Sequence, residues 1–117
     1  MKTTRVIDAL GALAHEHRLA IYRLLVQQGP EGLPAGAIGE RGGLVPSSLT
    51  FHLRNLQHAG LIARQRVSRQ LIYSADFDVM SGLIGYLTEN CCTGGGAECP
   101  PGCVPAAKPV KRAAKVA

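Results

Sequence analysis

No stretch of eighteen consecutive apolar residues occurs in this 117-residue chain, so no helix is expected to cross a membrane. No secretory leader is expected in its first segment either. The apolar residues of segment 1–18 fall at helical spacing and are interrupted by Arg5 and Asp8, so a cytoplasmic protein is expected. No acidic residue lies in 104–117, where Lys108, Lys111, Arg112 and Lys115 fall. With those four set aside, nine basic residues face eight acidic ones in 1–103, although the whole chain carries +5. A strongly basic folded body is thereby excluded, and any nucleic-acid role has to rest on motif rather than bulk charge. No cysteine precedes Cys91. Cys91, Cys92, Cys99 and Cys103 are crowded at one end, unlike the spread-out staples of a secreted disulfide scaffold. Such crowding points to ligation or redox chemistry.

What is present is a chain with 46% apolar and 18% charged residues, enough for one domain with one modest core. Val6, Ile7, Leu10 and Leu13 recur at helical spacing and predict a first helix over Thr4–Leu13. A second is expected over Glu16–Gln28, with Leu19, Tyr22, Leu25 and Val26 as its apolar face and Gly29-Pro30 as its stop. Glu31 to Pro34 reads as a turn, and a short third helix follows at Ala35–Arg41 despite Gly36 and Gly39.

The most informative stretch is 44–61. Pro46 suits a first helical position, where its missing N–H costs nothing. Leu49, Leu53 and Leu56 form one buried stripe, and Gly60 can end the helix in a left-handed turn. The opposite face offers Ser47, Ser48, Phe51, Arg54 and Asn55, short and polar at its start and basic farther along. A helix that enters a major groove needs such a face. Short side chains permit close approach, while hydroxyl, amide and guanidinium groups reach base edges or phosphates. The period then changes to two, and Leu61–Arg66 and Gln70–Tyr73 read as strands around Val67-Ser68-Arg69. Arg64, Arg66 and Arg69 would make this ribbon's tip basic, although its turn lacks the glycine of a tight hairpin. A last helix is expected over Phe77–Asn90. Phe77, Met80, Leu83, Ile84 and Leu87, widened by Val79 and Tyr86, exceed what one small domain needs and suggest a partner chain.

This order of elements is that of a winged helix-turn-helix domain: mainly α with a small β-hairpin. Residues 14–25, Ala-His-Glu-His-Arg-Leu-Ala-Ile-Tyr-Arg-Leu-Leu, resemble the A-[DN]-x-x-R-L-x-I-L-x-x-L opening of the ArsR/SmtB repressors. Residues 48–61, Ser-Leu-Thr-Phe-His-Leu-Arg-Asn-Leu-Gln-His-Ala-Gly-Leu, resemble their [ST]-V-S-x-H-L-x-x-L-x-x-A-G-L recognition helix. The resemblance covers roughly residues 5–90. It implies a homodimer formed through terminal helices, double-stranded operator DNA with two half-sites, and release of that DNA when an effector binds. The DNA-binding candidates are Ser47, Ser48, Thr50, Phe51, His52, Arg54 and Asn55 on the helix and Arg64, Arg66 and Arg69 on the ribbon. Thr50 stands where Ser is commoner. Phe51 puts a ring where polar residues are frequent, either to meet a thymine methyl or to pack on the third helix. His52 is expected to be structural or phosphate-facing, His15 and His17 solvated or capping, and His58 exposed.

The effector is read from the remaining residues. The family's thiol pair ahead of the recognition helix is absent, and a zinc site between last helices lacks its histidine, since only Asp76, Asp78 and Glu89 are available there. Asn90-Cys91-Cys92 followed by Cys99 resembles the C-terminal Asn-Cys-Cys…Cys pattern of arsenite-responsive members. Trivalent arsenic or antimony is soft and takes three pyramidal thiolate bonds, so three nearby sulfurs suffice. Cys91 and Cys92 supply two. The link 93–98 lets Cys99 or Cys103 return as the third at a closure cost on the order of a kcal/mol or two, with Cys99 favoured by its match to the pattern. The expected organisation is therefore 1–90 for DNA binding and dimerisation, 91–103 for metalloid binding, and 104–117 as a disordered basic tail. No cofactor is expected for DNA binding itself; the effector is As(III) or Sb(III).

Other readings of the thiols are a divalent soft metal such as Cd(II) or Zn(II), and oxidation. Neighbouring Cα atoms about 3.8 Å apart fall short of the usual disulfide span of about 4.4–6.8 Å, so a Cys91–Cys92 bond would be strained; a Cys99–Cys103 bond is feasible. An arsenate reductase would need an activated cysteine near a phosphate-cradling loop. No cysteine here has a His or Arg close in sequence, so an enzyme is not expected.

Overall fold

The computed structural model describes residues 1–94. Five helices and three short strands follow in the order α1 (Thr3–Leu13), α2 (Glu16–Gln28), β1 (Leu33–Pro34), α3 (Ala35–Gly42), α4 (Pro46–His58), β2 (Ile62–Val67), β3 (Gln70–Ala75) and α5 (Phe77–Thr88). This is the winged helix-turn-helix architecture: a helical body carrying a β-ribbon.

Local signals account for most boundaries. Helix α2 is capped by His15, whose ring nitrogen accepts from the His17 backbone N–H, and stops where Gly29 turns to positive φ. Pro46 occupies the first turn of α4, and its stop is assisted by Gly60, held at φ 82°. Asp76 caps α5 by accepting from the Val79 backbone N–H at 3.1 Å.

The turn expected over Glu31–Pro34 holds an additional strand. Leu33 pairs with Tyr73 and Pro34 with Ile72, so the hairpin becomes a three-stranded antiparallel sheet in the order β1-β3-β2. Two residues are too short for period-two patterning to show, and Pro34 argues against a strand by propensity. At an edge it is tolerated, because the missing N–H removes no interior ladder bond. Gly32 prepares this pairing: it sits at φ 72°, and any Cβ there would run into the Tyr73 carbonyl oxygen. In the ribbon, Val67 pairs with Gln70, so the turn is the two residues Ser68-Arg69. Ser68 itself takes φ 58°, which supplies the left-handed step that a glycine usually provides.

The core lies between α1, α2, α4 and the root of the sheet. Leu25, Ile38, Leu56 and Leu61 are fully enclosed, with Leu49 and Leu53 adding the rest of the expected α4 stripe. On α2 the buried set is Ile21, Tyr22 and Leu25; Leu19 is exposed and Val26 half-buried. The helix is thus rotated so that Ile21 replaces Leu19 in the core. Burial of a side chain such as Leu56 stabilises by about 1.5–3 kcal/mol. Only Leu83 of α5 is buried against this body, while Ile84 and Leu87 stand exposed. Thr3 Oγ1 and Tyr86 OH, 2.7 Å apart, tie the start of α1 to the end of α5. Among the described residues no helix is long and apolar enough to cross a membrane.

Candidate DNA-binding face and thiol pair

The α4 stripe of Leu49, Leu53 and Leu56 anchors one side of the helix in the core and so turns the opposite side outward. Ser47, Thr50, Phe51 and Arg54 are exposed there, and Ser48 and Asn55 are half-buried. The Asn55 amide donates to the Phe51 carbonyl one turn back at 2.9 Å, which holds that side chain along the helix. Phe51 is 60% exposed, meets the edge of His52 with ring centroids 5.6 Å apart, and borders a groove with Gly11, Ala12 and Arg18. Of the two roles considered for this ring, contact with a thymine methyl is the one its exposure favours.

The ribbon extends this face. Only Ile62 of β2 is buried, so the strand leaves the body after its first residue and carries Arg64 and Arg66 in the open, with Arg69 in the turn. Helix and ribbon together present short hydroxyls, one amide, one aromatic ring and four guanidinium groups. Such groups suit base edges and phosphates.

His52 is the exception in the sequence-derived set. It is only 6% exposed and turns inward, toward the start of α2. There the Arg18 guanidinium, fixed by its Nε donating to the Ala12 carbonyl at 2.7 Å, lies 3.5 Å from His52 Nδ1. The rings of His15 and His17 complete the group, both exposed. Burial lowers the His52 pKa below its ordinary value, and the charges of His15, Arg18 and His17 push it the same way. This grouping was not anticipated. Its only sequence signal is His15 standing where the family motif has Asp or Asn.

Tyr22 OH is buried with no hydrogen-bond partner among the described residues, and burial together with Asp76 raises its pKa. His58 is exposed, as expected.

Beyond α5 the backbone turns sharply. Asn90 and Cys92 take φ 57° and 66°, and the Cys91 N–H donates to the Thr88 carbonyl at 3.1 Å. The Thr93 N–H and hydroxyl both reach the Asn90 carbonyl. These turns bring Cys91 Sγ to 3.4 Å from Cys92 Sγ. That is well beyond the S–S bond length of about 2.05 Å. Two thiolates each about 2.3 Å from one soft ion can stand at most about 4.6 Å apart, so the pair fits a shared ligand. The helix ends at Thr88 rather than Asn90, which leaves both cysteines off the helix on this turn. Cys99, Cys103 and the expected tail over 104–117 lie outside the described residues.

A family model described as a helix-turn-helix domain matches residues 13–65. Three curated relatives match. The uncharacterised HTH-type transcriptional regulator YceK of Bacillus subtilis strain 168 is 41% identical over 50% of this chain and 57% of its own length. The nodulation protein NolR of Rhizobium meliloti is 31% identical over 68% and 63%. The HTH-type transcriptional regulator YgaV of Escherichia coli strain K12 is 31% identical over 71% and 82%. The chain thus spans less than two thirds of the first two relatives and most of the third.

Solved structures are similar over most of the chain. NolR from Sinorhizobium fredii is 30% identical with a TM-score of 0.59, covering 75% of this chain and 85% of that one. An ArsR-like transcriptional regulator from Rhodococcus sp. RHA1 has a TM-score of 0.66 at 22% identity, covering 79% and 83%. The homodimeric winged helix-turn-helix DNA-binding domain of Mb0332 from Mycobacterium bovis, a possible ArsR-family regulator, has a TM-score of 0.60 at 22% identity, covering 81% and 88%.

Proposed function

Since the chain belongs to the helix-turn-helix transcriptional regulators and has the fold of ArsR-family winged-helix proteins, we propose that it is a repressor that binds operator DNA as a homodimer and releases it when As(III) or Sb(III) is captured by C-terminal thiolates. The observation that carries the sensing part is the 3.4 Å approach of Cys91 Sγ to Cys92 Sγ at the foot of α5. Two soft donors lie close enough to share one ion, and Cys99, or failing it Cys103, would supply the third bond that a pyramidal trivalent centre takes.

Dimerisation is supported by the surface that α1 and α5 leave uncovered. Ile7 and Leu10 on the first, and Ile84 and Leu87 on the last, are all more than two-fifths exposed. A second copy covering these side chains would bury them and set two α4 helices at a fixed spacing, which a pseudo-palindromic operator would match. The thiol pair follows the helix that carries half of that surface. Drawing Cys91, Cys92 and a later cysteine onto one atom would pull the end of α5 and alter the spacing between the two recognition helices.

The test is an anisotropy titration of the operator complex with arsenite, antimonite, methylated arsenicals, Cd(II), Zn(II) and a mild thiol oxidant. Release by the trivalent species at stoichiometric amounts is the expected result. Release by the divalent ions or the oxidant alone would replace the metalloid with one of those signals, and no release by any of them would leave a constitutive DNA-binding protein.

A further inference from the structure

Three imidazoles and a guanidinium meet where α2 begins against the recognition helix. Ring centroids are 4.7 Å apart for His15 and His52, and 5.6 Å both for His15 and His17 and for His17 and His52. Two of the four groups are held in place from the backbone: His15 Nδ1 accepts from the His17 N–H, and Arg18 Nε donates to the Ala12 carbonyl. The third, His52, is nearly fully buried. A guanidinium has only donors, so the Arg18 Nη1 contact with His52 Nδ1 at 3.5 Å requires that nitrogen to be an acceptor. That contact suits the neutral imidazole, with its proton on Nε2.

Protonation would reverse this contact. Two donors and two positive charges would then face each other at an imidazole that is only 6% exposed. The immediate surroundings offer no relief, because the groups acting on His52 from α2 and its cap are His15, His17 and Arg18, all basic. The other elements packed on α4 bring charges to the grooves beside this group. From α1, Asp8 lines a groove with Arg18, Arg54 and His58; from α3, Glu40 lies in a groove with Thr50, and Arg41 in one with His17; from β2, Arg64 and Arg66 are exposed.

We propose that His15, His17, Arg18 and His52 form a proton-operated latch on the recognition helix, closed while His52 is neutral and opened by its protonation, which weakens operator binding. His52 adjoins Phe51 on α4, so a displacement that separates the imidazolium from Arg18 moves the DNA-facing residues with it. The latch rests on the DNA-binding reading but not on the thiols. Among the described residues no three His, Cys, Asp or Glu side chains form a metal-holding group, and Nδ1 of both His15 and His52 is already engaged.

The test is operator affinity of the full chain from about pH 8 to about pH 5, with the His52 imidazole followed by NMR in the same buffers. Affinity should track the neutral fraction of His52 and fall below its midpoint by up to about tenfold per pH unit for each recognition helix engaged. His52→Asn keeps an acceptor oxygen near the Nδ1 position and does not titrate. Whatever its affinity at neutral pH, it should lose the acid weakening. If that variant does not fold, His15→Asn/His17→Asn, at two exposed positions, should raise the His52 midpoint by removing two basic neighbours. Wild-type affinity that is flat with pH, equal acid weakening in His52→Asn, or an unmoved midpoint in the double variant would overturn the latch. Absence of operator binding at every pH would defeat the DNA-binding reading instead. The latch would then be judged by NMR alone: coincident titration of Arg18 Nε and His52 supports it, and separate midpoints overturn it.

Discussion

Asp76 Oδ1 accepts a hydrogen bond from the Val79 backbone N–H at 3.1 Å, so the residue that follows the last strand also starts α5. The Asp76 N–H in turn donates to the Leu61 carbonyl at 2.9 Å, which joins the root of the ribbon to the last helix. Everything α5 contributes, the exposed apolar face and the thiol turn beyond it, depends on where this cap places the helix.

Removal of the cap should be felt in stability. Asp76→Ala leaves one first-turn N–H without its partner and should cost about 1 kcal/mol, whereas Asp76→Ser should recover most of it. Urea denaturation of the three proteins gives the comparison.

The uncovered face of α5 makes a sharper demand. Ile84→Glu combined with Leu87→Glu would place like charges across a two-fold interface and should convert the protein to monomers, while the far-ultraviolet circular dichroism stays that of wild type. Sedimentation equilibrium measures the change, and operator affinity should fall with it because two half-sites are no longer read together. An unchanged oligomeric state would move the interface away from α5.

The ribbon arginines should act through phosphates. Arg66→Ala should weaken binding about equally on all sequences and reduce the salt slope by about one charge. Phe51→Ala should instead relax preference at a single thymine-containing step, by about 1–3 kcal/mol at most. Salt-dependent affinity on operator and scrambled duplexes separates the two behaviours.

Stability should decline with acid in a defined direction. The folded-state pKa of His52 lies below its unfolded value of about 6.5 because of burial first and basic neighbours second. Between those two values the unfolded chain binds more protons, so the stability held above the unfolded pKa is lost as pH falls toward the folded one, then levels off. Urea midpoints across this range should show the decline in wild type and a smaller one in His52→Asn.

The helices were legible because their signals are local and redundant. Pro46, the Leu49-Leu53-Leu56 stripe and Gly60 each mark the same recognition helix, and the structure places all of them as expected. Strand β1 was not legible. Leu33-Pro34 becomes a strand only through its partners Tyr73 and Ile72, nearly forty positions away, and two residues carry no period. The rotation of α2 was hidden for a related reason: Leu19 and Ile21 are equally apolar, and only packing against α4 chooses between them. His52 sits in the family's recognition motif and was grouped with its outward neighbours. Its inward turn follows from its position next to Leu53, and its contact with Arg18, thirty-four residues earlier, follows from the tertiary fold. The thiol pair was visible as two adjacent cysteines, but the left-handed turns at Asn90 and Cys92 that bring the sulfurs together were not.

The sensing claim is tested most directly by X-ray absorption at the arsenic edge on the full chain loaded with one equivalent of arsenite. Three sulfur neighbours are predicted, falling to two or to no bound arsenic in Cys91→Ser and Cys92→Ser, both of which should still bind the operator. Oxygen-only coordination in wild type, or an unaltered three-sulfur shell in both variants, would contradict it.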